Sequence, residues 1–181
     1  MALAFPLDPM KAVLGGLPHD DDHWSYEVKW DGYRTLALVD GGQVRLQSVS
    51  KRDVTDAYPE LAALSEGVNA GRAILDGELV VLDDVGMPRF ELMQRHASEV
   101  VFQVFDVLHL DGHDTIDLPY EDRRRLLQQA VEPGSNWQVP GHQVGDGAAL
   151  LDATGAQGLE GIMAKRLGSP YQPGKRSPNW V

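Results

Sequence analysis

Cysteine is absent from all 181 residues, which excludes a disulfide framework and any thiolate-ligated metal centre. A metal ion would have to sit on carboxylates, histidines or phosphates, and the absence fits a reducing compartment. Basic residues are scarce: 16 Lys and Arg stand against 27 Asp and Glu, a net charge of −11. Lysine and arginine supply most of the non-specific affinity for phosphate backbones, so the charge argues against a general nucleic-acid coating protein and any DNA contact must be local. At long range the acidic body repels DNA, and strong binding calls for help from outside the chain. No apolar run approaches the roughly 20 residues of a membrane span, and Met1 to Leu17 holds prolines and an aspartate where a leader would have a charged start and an apolar core. A soluble, cytoplasmic protein is expected. No internal repeat, low-complexity tract or heptad pattern is present, which argues against a solenoid or coiled coil.

With 43% hydrophobic residues the chain can bury one domain over 1–181, with room for two lobes. Alternation of apolar and polar residues predicts strands at 26–28, 35–39 and 43–47, the last two joined by the turn Asp40-Gly41-Gly42. A second hairpin is predicted from 73–82 and 87–90, and 100–110 reads as a buried strand. Helical patterns fit 58–64, 91–96, 120–130 and 147–154, with Pro119 and Pro133 bracketing the third. The expectation is an α+β fold of antiparallel sheets flanked by helices. From Gly168 to Trp180 the chain is crowded with Pro, Gly and Ser, an ordered loop or linker, and ending at Val181 inside it reads as cut short.

The informative segment is Glu27-Val28-Lys29-Trp30-Asp31-Gly32-Tyr33-Arg34. A lysine at a strand end, followed at fixed spacing by Asp, Gly and Arg, can carry a nucleotide covalently once its amine is deprotonated near metal and other cations. The same pattern also suits a surface hairpin with a solvated lysine. Glu78 in LDGELVV and Glu160 in GLEGIMAKR are carboxylates on otherwise apolar predicted strands; each alone could face solvent, but together they could hold a divalent cation over phosphate oxygens while Lys29 attacks. Lys165 lies five residues after Glu160, and that odd spacing puts it on the opposite strand face unless a bulge intervenes. The cluster His19, Asp20, Asp21, Asp22, His23 reads as solvated loop, and Arg123-Arg124-Arg125 as a solvated helix face.

In order, EVKWDGYR, LDGELVV, FQVFDVLHLDG, EGIMAKR and SPYQPGKRSPNW resemble the motifs of the adenylation domain of ATP-dependent DNA ligases, most of all the ligase domain of bacterial non-homologous end-joining enzymes. The likeness runs from Pro9-Met10 to Trp180. It implies a ligase-type nucleotidyltransferase fold, ATP-grasp-like, with a central nucleotide cleft. It also implies ATP and Mg2+ or Mn2+ as cofactors. Lys29 would be the adenylated lysine, Glu27 would contact the adenine edge, Arg34 would hold ribose or phosphate, and Asp31 would order the site near the nick. Glu78 would bind the ribose or support metal-assisted chemistry, Phe105 would stack on adenine, Glu160 would position the metal, and Lys165 would neutralise the ATP phosphates. The implied partners are nicked or broken double-stranded DNA, DNA end-binding repair proteins, and polymerase and nuclease modules, with the chain itself a monomer. RNA ligases and capping enzymes share the first and fourth motifs, and a non-catalytic scaffold binding a nucleotide or DNA end is a further alternative.

Two positions depart from the family pattern. Val49 stands where the family has an arginine, and Lys51 and Arg52 are the nearby cations. The KxK motif and OB-fold domain that follow Asn179-Trp180 in the family are not within these residues, so strand sealing by this chain is expected to be weak or absent.

Overall fold

A computed structural model describes residues 3–96 and 98–181. In chain order the strands are β1 (Lys11–Ala12), β2 (Trp24–Val28), β3 (Tyr33–Asp40), β4 (Gln43–Ser48), β5 (Arg72–Val80), β6 (Val101–Leu110), β7 (His113–Asp114), β8 (Trp137–Gln138), β9 (Gln143–Val144), β10 (Ile162–Arg166) and β11 (Arg176–Ser177). The α-helices are α1 (Leu64–Gly67), α2 (Phe90–Gln94), α3 (Tyr120–Ala130) and α4 (Gly147–Ala156). The main sheet runs β4-β3-β5-β6-β7 antiparallel, with β8 added parallel to β6. A smaller antiparallel sheet runs β10-β2-β9, and β1 pairs β11 in parallel. The fold is α+β with antiparallel sheets and few helices, as expected.

The β3–β4 hairpin forms because Gly41 and Gly42 both take positive φ, 57° and 81°, which a two-residue turn matching the strand twist requires. Along β3, Ala37 and Val39 enter one core with Leu46, Leu75, Leu79, Phe102 and Val104, while Leu36 and Leu38 enter a second with Ile74, Met10, Tyr171 and Trp180. The main sheet is therefore covered on both faces, which accounts for the nearly continuous apolar run of β6. In β6 the register against β5 shifts twice, between Ile74 and Leu75 and between Asp76 and Gly77. These bulges leave Leu108 and Phe105 without a directly opposed partner and turn both toward the second core. The Pro- and Gly-rich tail is ordered and belongs to that core. Tyr171 and Trp180 are 2% and 1% exposed, β11 pairs β1, and Val181 exchanges both backbone hydrogen bonds with Ala164, at 2.8 and 2.9 Å.

Several sequence expectations are corrected. The helix expected over 58–64 is a 3-10 turn, Pro59–Ala63, that runs into α1. The second hairpin is reduced to one bridge, Leu82 to Pro88, because Phe90 opens α2 and packs edge-on against Tyr33. The arginine run is not a solvated face: Arg123 is 0% and Arg124 2% exposed, and of the three only Arg125 faces solvent, paired with Asp122. Composition could not reveal this, since the anchor is distant in sequence. Arg123 grips Asp106 of β6 through two bonds of 2.8 and 3.0 Å and donates to the carbonyls of Leu118 and Ser169. Asp20 and Asp21 also have local work: Asp20 accepts from the Trp24 indole at 2.8 Å, and Asp21 accepts from the backbone at the start of α4.

Removing one partner of a buried ion pair strands the other charge away from water. Arg123→Met is therefore expected to cost about 3–5 kcal/mol of unfolding free energy. Arg125→Met should stay within about 0.5 kcal/mol. Urea denaturation of the two variants side by side measures both, and equal losses would contradict the buried assignment of Arg123.

Candidate active site

Strand β2 alternates its side chains between two environments. Trp24 and Tyr26 pack with Ala164, Leu150 and Ile162 on one face, and Glu27, followed by Lys29 just past the strand end, faces the other. The main chain of Lys29 extends the pairing with β10, its N–H donating to the carbonyl of Gly161 at 3.0 Å. That pairing sets Glu160 beside Lys29, and the ammonium forms an ion pair with the Glu160 carboxylate. Both side chains are a little under half exposed, so this is a solvated pair at the rim. Asp31 is exposed beside them. Gly32 of the same segment is required by space: a Cβ there would lie 1.9 Å from the carbonyl oxygen of Leu79, so only glycine lets the lysine loop rest on β5.

Glu27 is 3% exposed. One carboxylate oxygen accepts from the Tyr120 hydroxyl and the other from Lys165 Nζ at 3.0 Å. Burial pushes its pKa up, but the charges of Lys165 and Arg124 and the two hydrogen bonds outweigh it and hold the carboxyl below its usual value. Lys165 is 1% exposed, and its ammonium lies 4.1 Å from the ring centroid of Phe105 and 4.5 Å from that of Trp180. The odd spacing from Glu160 proves harmless because Glu160 precedes β10. Only Ile162 onward is strand, and Met163 and Lys165 alternate onto the cleft face together.

Across the cleft, Arg34 of β3 makes a two-pronged pair with Asp76 of β5, both bonds 2.6 Å, and also donates to the carbonyl of Met10 at 3.0 Å. Tyr171 donates to the same Asp76 at 2.7 Å. The guanidinium lies 4.9 Å from the Phe105 centroid. Glu78, opposite Arg34 in register, is partly buried and its pKa is raised to about 7. Burial is the main cause; Asp76 and Asp31 add to it, while Arg34 and the Gly32 N–H offset part.

These side chains line a single cleft of about 360 Å³. Glu27, Lys29, Asp31, Arg34, Glu78, Phe105, Glu160 and Lys165 all border it, joined by Ala12, Trp30, Met163 and Trp180. Every sequence-predicted site residue is thus brought to one place. Sequence reasoning missed Asp76, Tyr120, Met163 and Trp180. Asp76 and Met163 stand inside quoted motifs, and the period of two in β10 pairs Met163 with Lys165. Tyr120 and the inward turn of Trp180 carried no local signal. Val49 is 42% exposed on the loop after β4, outside the cleft lining, and Lys51 pairs with Asp8 at 2.9 Å.

A carboxyl whose pKa is higher in the folded chain than its ordinary value of 4.5 costs stability once ionised: the fold is favoured below that value and loses free energy as pH rises through about 7. Glu78→Gln is therefore expected to stabilise the protein at pH 8 by about 2 kcal/mol, discounted for partial solvent access. The gain should shrink to a small fraction at pH 5, where the folded parent is already neutral. Thermal melts of both proteins at the two pH values read this directly.

Residues 3–181 match the family model of the ATP dependent DNA ligase domain. The multifunctional non-homologous end joining DNA repair protein LigD of Mycobacterium tuberculosis is 46% identical over 178 residues, covering 97% of this chain and 23% of that protein. The corresponding LigD of Pseudomonas aeruginosa is 35% identical over 165 residues, with coverages of 87% and 20%. The chain thus spans between a fifth and a quarter of the length of these LigD relatives. Among solved structures, the ligase domain of M. tuberculosis LigD is similar at TM-score 0.88 and 42% identity, over 99% of this chain and 60% of that one. A mycobacterial DNA ligase D complexed with ATP and MES is similar at TM-score 0.89, with the same identity and coverage. A strand-end lysine facing a cleft of paired charges, an ordered tail that closes it, and a family match over nearly the whole chain lead to one conclusion: this protein belongs to the ATP-dependent DNA ligase domain family.

Proposed function

We propose that the cleft is the lysine-adenylation site of a DNA ligase of the end-joining repair type, and that residues 1–181 form its adenylation domain. The observation that carries this reading is the convergence of Lys29 with Glu27, Arg34, Glu78, Phe105, Glu160 and Lys165 around one cleft. The similar mycobacterial ligase D complexed with ATP supports ATP as the nucleotide. In the first step the Lys29 amine bonds to the α-phosphorus of ATP, the bond to pyrophosphate breaks, and the lysine proton is lost to solvent. Because only the neutral amine attacks, the ion pair with Glu160 must open before the N–P bond forms. AMP then passes to a DNA 5′-phosphate, and a 3′-hydroxyl displaces it to join the strands.

Each remaining residue has a part its position suits. Phe105 offers the adenine a ring face and Glu27 an acceptor at the base edge. Arg34 and Glu78, on the cleft wall, are assigned to the ribose, and Asp31, exposed beside Lys29, to ordering the loop toward the nick. Lys165 exchanges Glu27 for the phosphates. The donors present suit magnesium or manganese: Glu160 and Glu78 are hard oxygen ligands on the cleft wall. Among the described residues no three His, Cys, Asp or Glu side chains converge, as fits an ion that takes one or two carboxylates and completes its shell with water and substrate phosphates. Bound there, such an ion would neutralise charge on the phosphate oxygens.

Nicked or broken duplex DNA is the proposed acceptor, with end-binding proteins and polymerase or nuclease modules as associated parts and the bacterial cytosol or nucleoid as the place. A monomer is proposed. Among the described residues no helix is long and apolar enough to cross a membrane.

Intact-protein mass spectrometry after incubation with ATP and magnesium is expected to show one added AMP, none with GTP, and none in Lys29→Ala. EDTA added before ATP should prevent the adduct from forming. Absence of the adduct in a folded parent that still binds ATP would instead favour a nucleotide-binding scaffold. Robust sealing of nicked DNA by these residues alone would contradict the expectation that sealing depends on elements outside them.

A further inference from the structure

Tyr120 lies outside every motif of the sequence, yet it is fully buried and its hydroxyl donates to Glu27 at the wall of the cleft. As the first residue of α3 it sits on a fixed point. Arg123, one turn on, ties the helix to Asp106 of β6 and to the carbonyls of Leu118 and Ser169, and the Glu121 N–H donates to the carbonyl of Leu167 at 3.2 Å. The backbone therefore sets where the hydroxyl points. Burial and the Glu27 carboxylate keep the phenol protonated far above its usual range, so it remains a donor.

Glu27 has two donors, Tyr120 on one oxygen and Lys165 on the other. In the function proposed above, Lys165 leaves to meet the phosphates. Tyr120 is then the remaining hydrogen-bond donor holding the carboxylate in place. An ionised carboxylate only accepts hydrogen bonds. It attracts the 6-amino group of adenine and repels the 6-oxo group of guanine. We infer that Tyr120 is a positioning residue that fixes Glu27 as the base-reading acceptor and so sets the preference of the site for a 6-amino purine nucleotide. Without the hydroxyl, Glu27 can rotate or take up a proton, and a protonated carboxyl would donate to the guanine oxygen.

This inference rests on the nucleotide reading above, and calorimetric binding in a Lys29→Ala background, where no adduct forms, separates the two. Binding of ATP, GTP and purine riboside triphosphate, which lacks the 6-amino group, is compared with and without Tyr120→Phe. With Tyr120 present, ATP should bind about tenfold more tightly than either alternative, in line with one hydrogen bond to a charged group. With Phe in its place the preference should shrink to about twofold. An undiminished preference, or an equal loss of affinity for all three nucleotides, overturns the inference. No ATP binding with Tyr120 intact would defeat the nucleotide reading instead. Tyr120→Met, which fills the space without a donor, repeats the test if the Phe variant does not fold. Failure of both to fold overturns the inference by placing Tyr120 in the core alone.

Discussion

Charge taken out of water must be neutralised at once, and the middle of this fold is organised by that constraint. Arg123 is wholly buried against Asp106, Lys165 against Glu27, and Arg34 reaches a fully buried Asp76. Desolvating any of these ions alone would cost several kcal/mol, more than a domain of this size can lose lightly. Each pair also ties together elements far apart in the chain. Arg123 holds α3 on β6, Lys165 holds β10 on β2, and Arg34 holds β3 on β5 while donating to the carbonyl of Met10, with Tyr171 bonded to its partner Asp76.

The same pairs leave the cleft with its charges already occupied. Lys165 and Arg34 both lie close to the Phe105 ring, Lys165 holds Glu27, and Lys29 holds Glu160. Any charged ligand entering such a site would exchange partners with groups already satisfied, so its binding energy would be a difference between two sets of ion pairs. The rim pair of Lys29 and Glu160 is solvated and opens to water, whereas the buried pair of Lys165 and Glu27 opens only in exchange for another anion. The two pairs thereby differ by depth, Lys165 with Glu27 at the buried back wall and Lys29 with Glu160 at the solvated mouth.

Much of the site was legible because its parts are local. The segment from Glu27 to Arg34 carries its own logic: alternation on β2 puts Glu27 and Lys29 on one face, and Gly32 permits the close approach to β5. Strands β3, β4 and β6 and helices α3 and α4 could be read from period and turn chemistry. The arginine run misled because its neighbours Glu121 and Asp122 suggest local pairing, while the partner that buries Arg123 lies on another strand. The spacing of Glu160 and Lys165 misled because a strand was assumed to include both. In the structure the regular pleat starts only at Ile162.

The amino-acid sequence by itself determined the chemistry available: a lysine at a strand end, carboxylates in place of thiolates, a glycine where two backbones meet, and a net charge of −11. Those properties belong to residue types and short spacings, which are present before folding. The tertiary structure alone decided which charges lose contact with water, that the bulge at Phe105 turns its ring into the cleft, and that the tail brings Trp180 to close it. It also decided that Tyr120 stands behind Glu27. Those outcomes depend on contacts across tens of residues, where the cost of burying one group is met by a partner that no local pattern names.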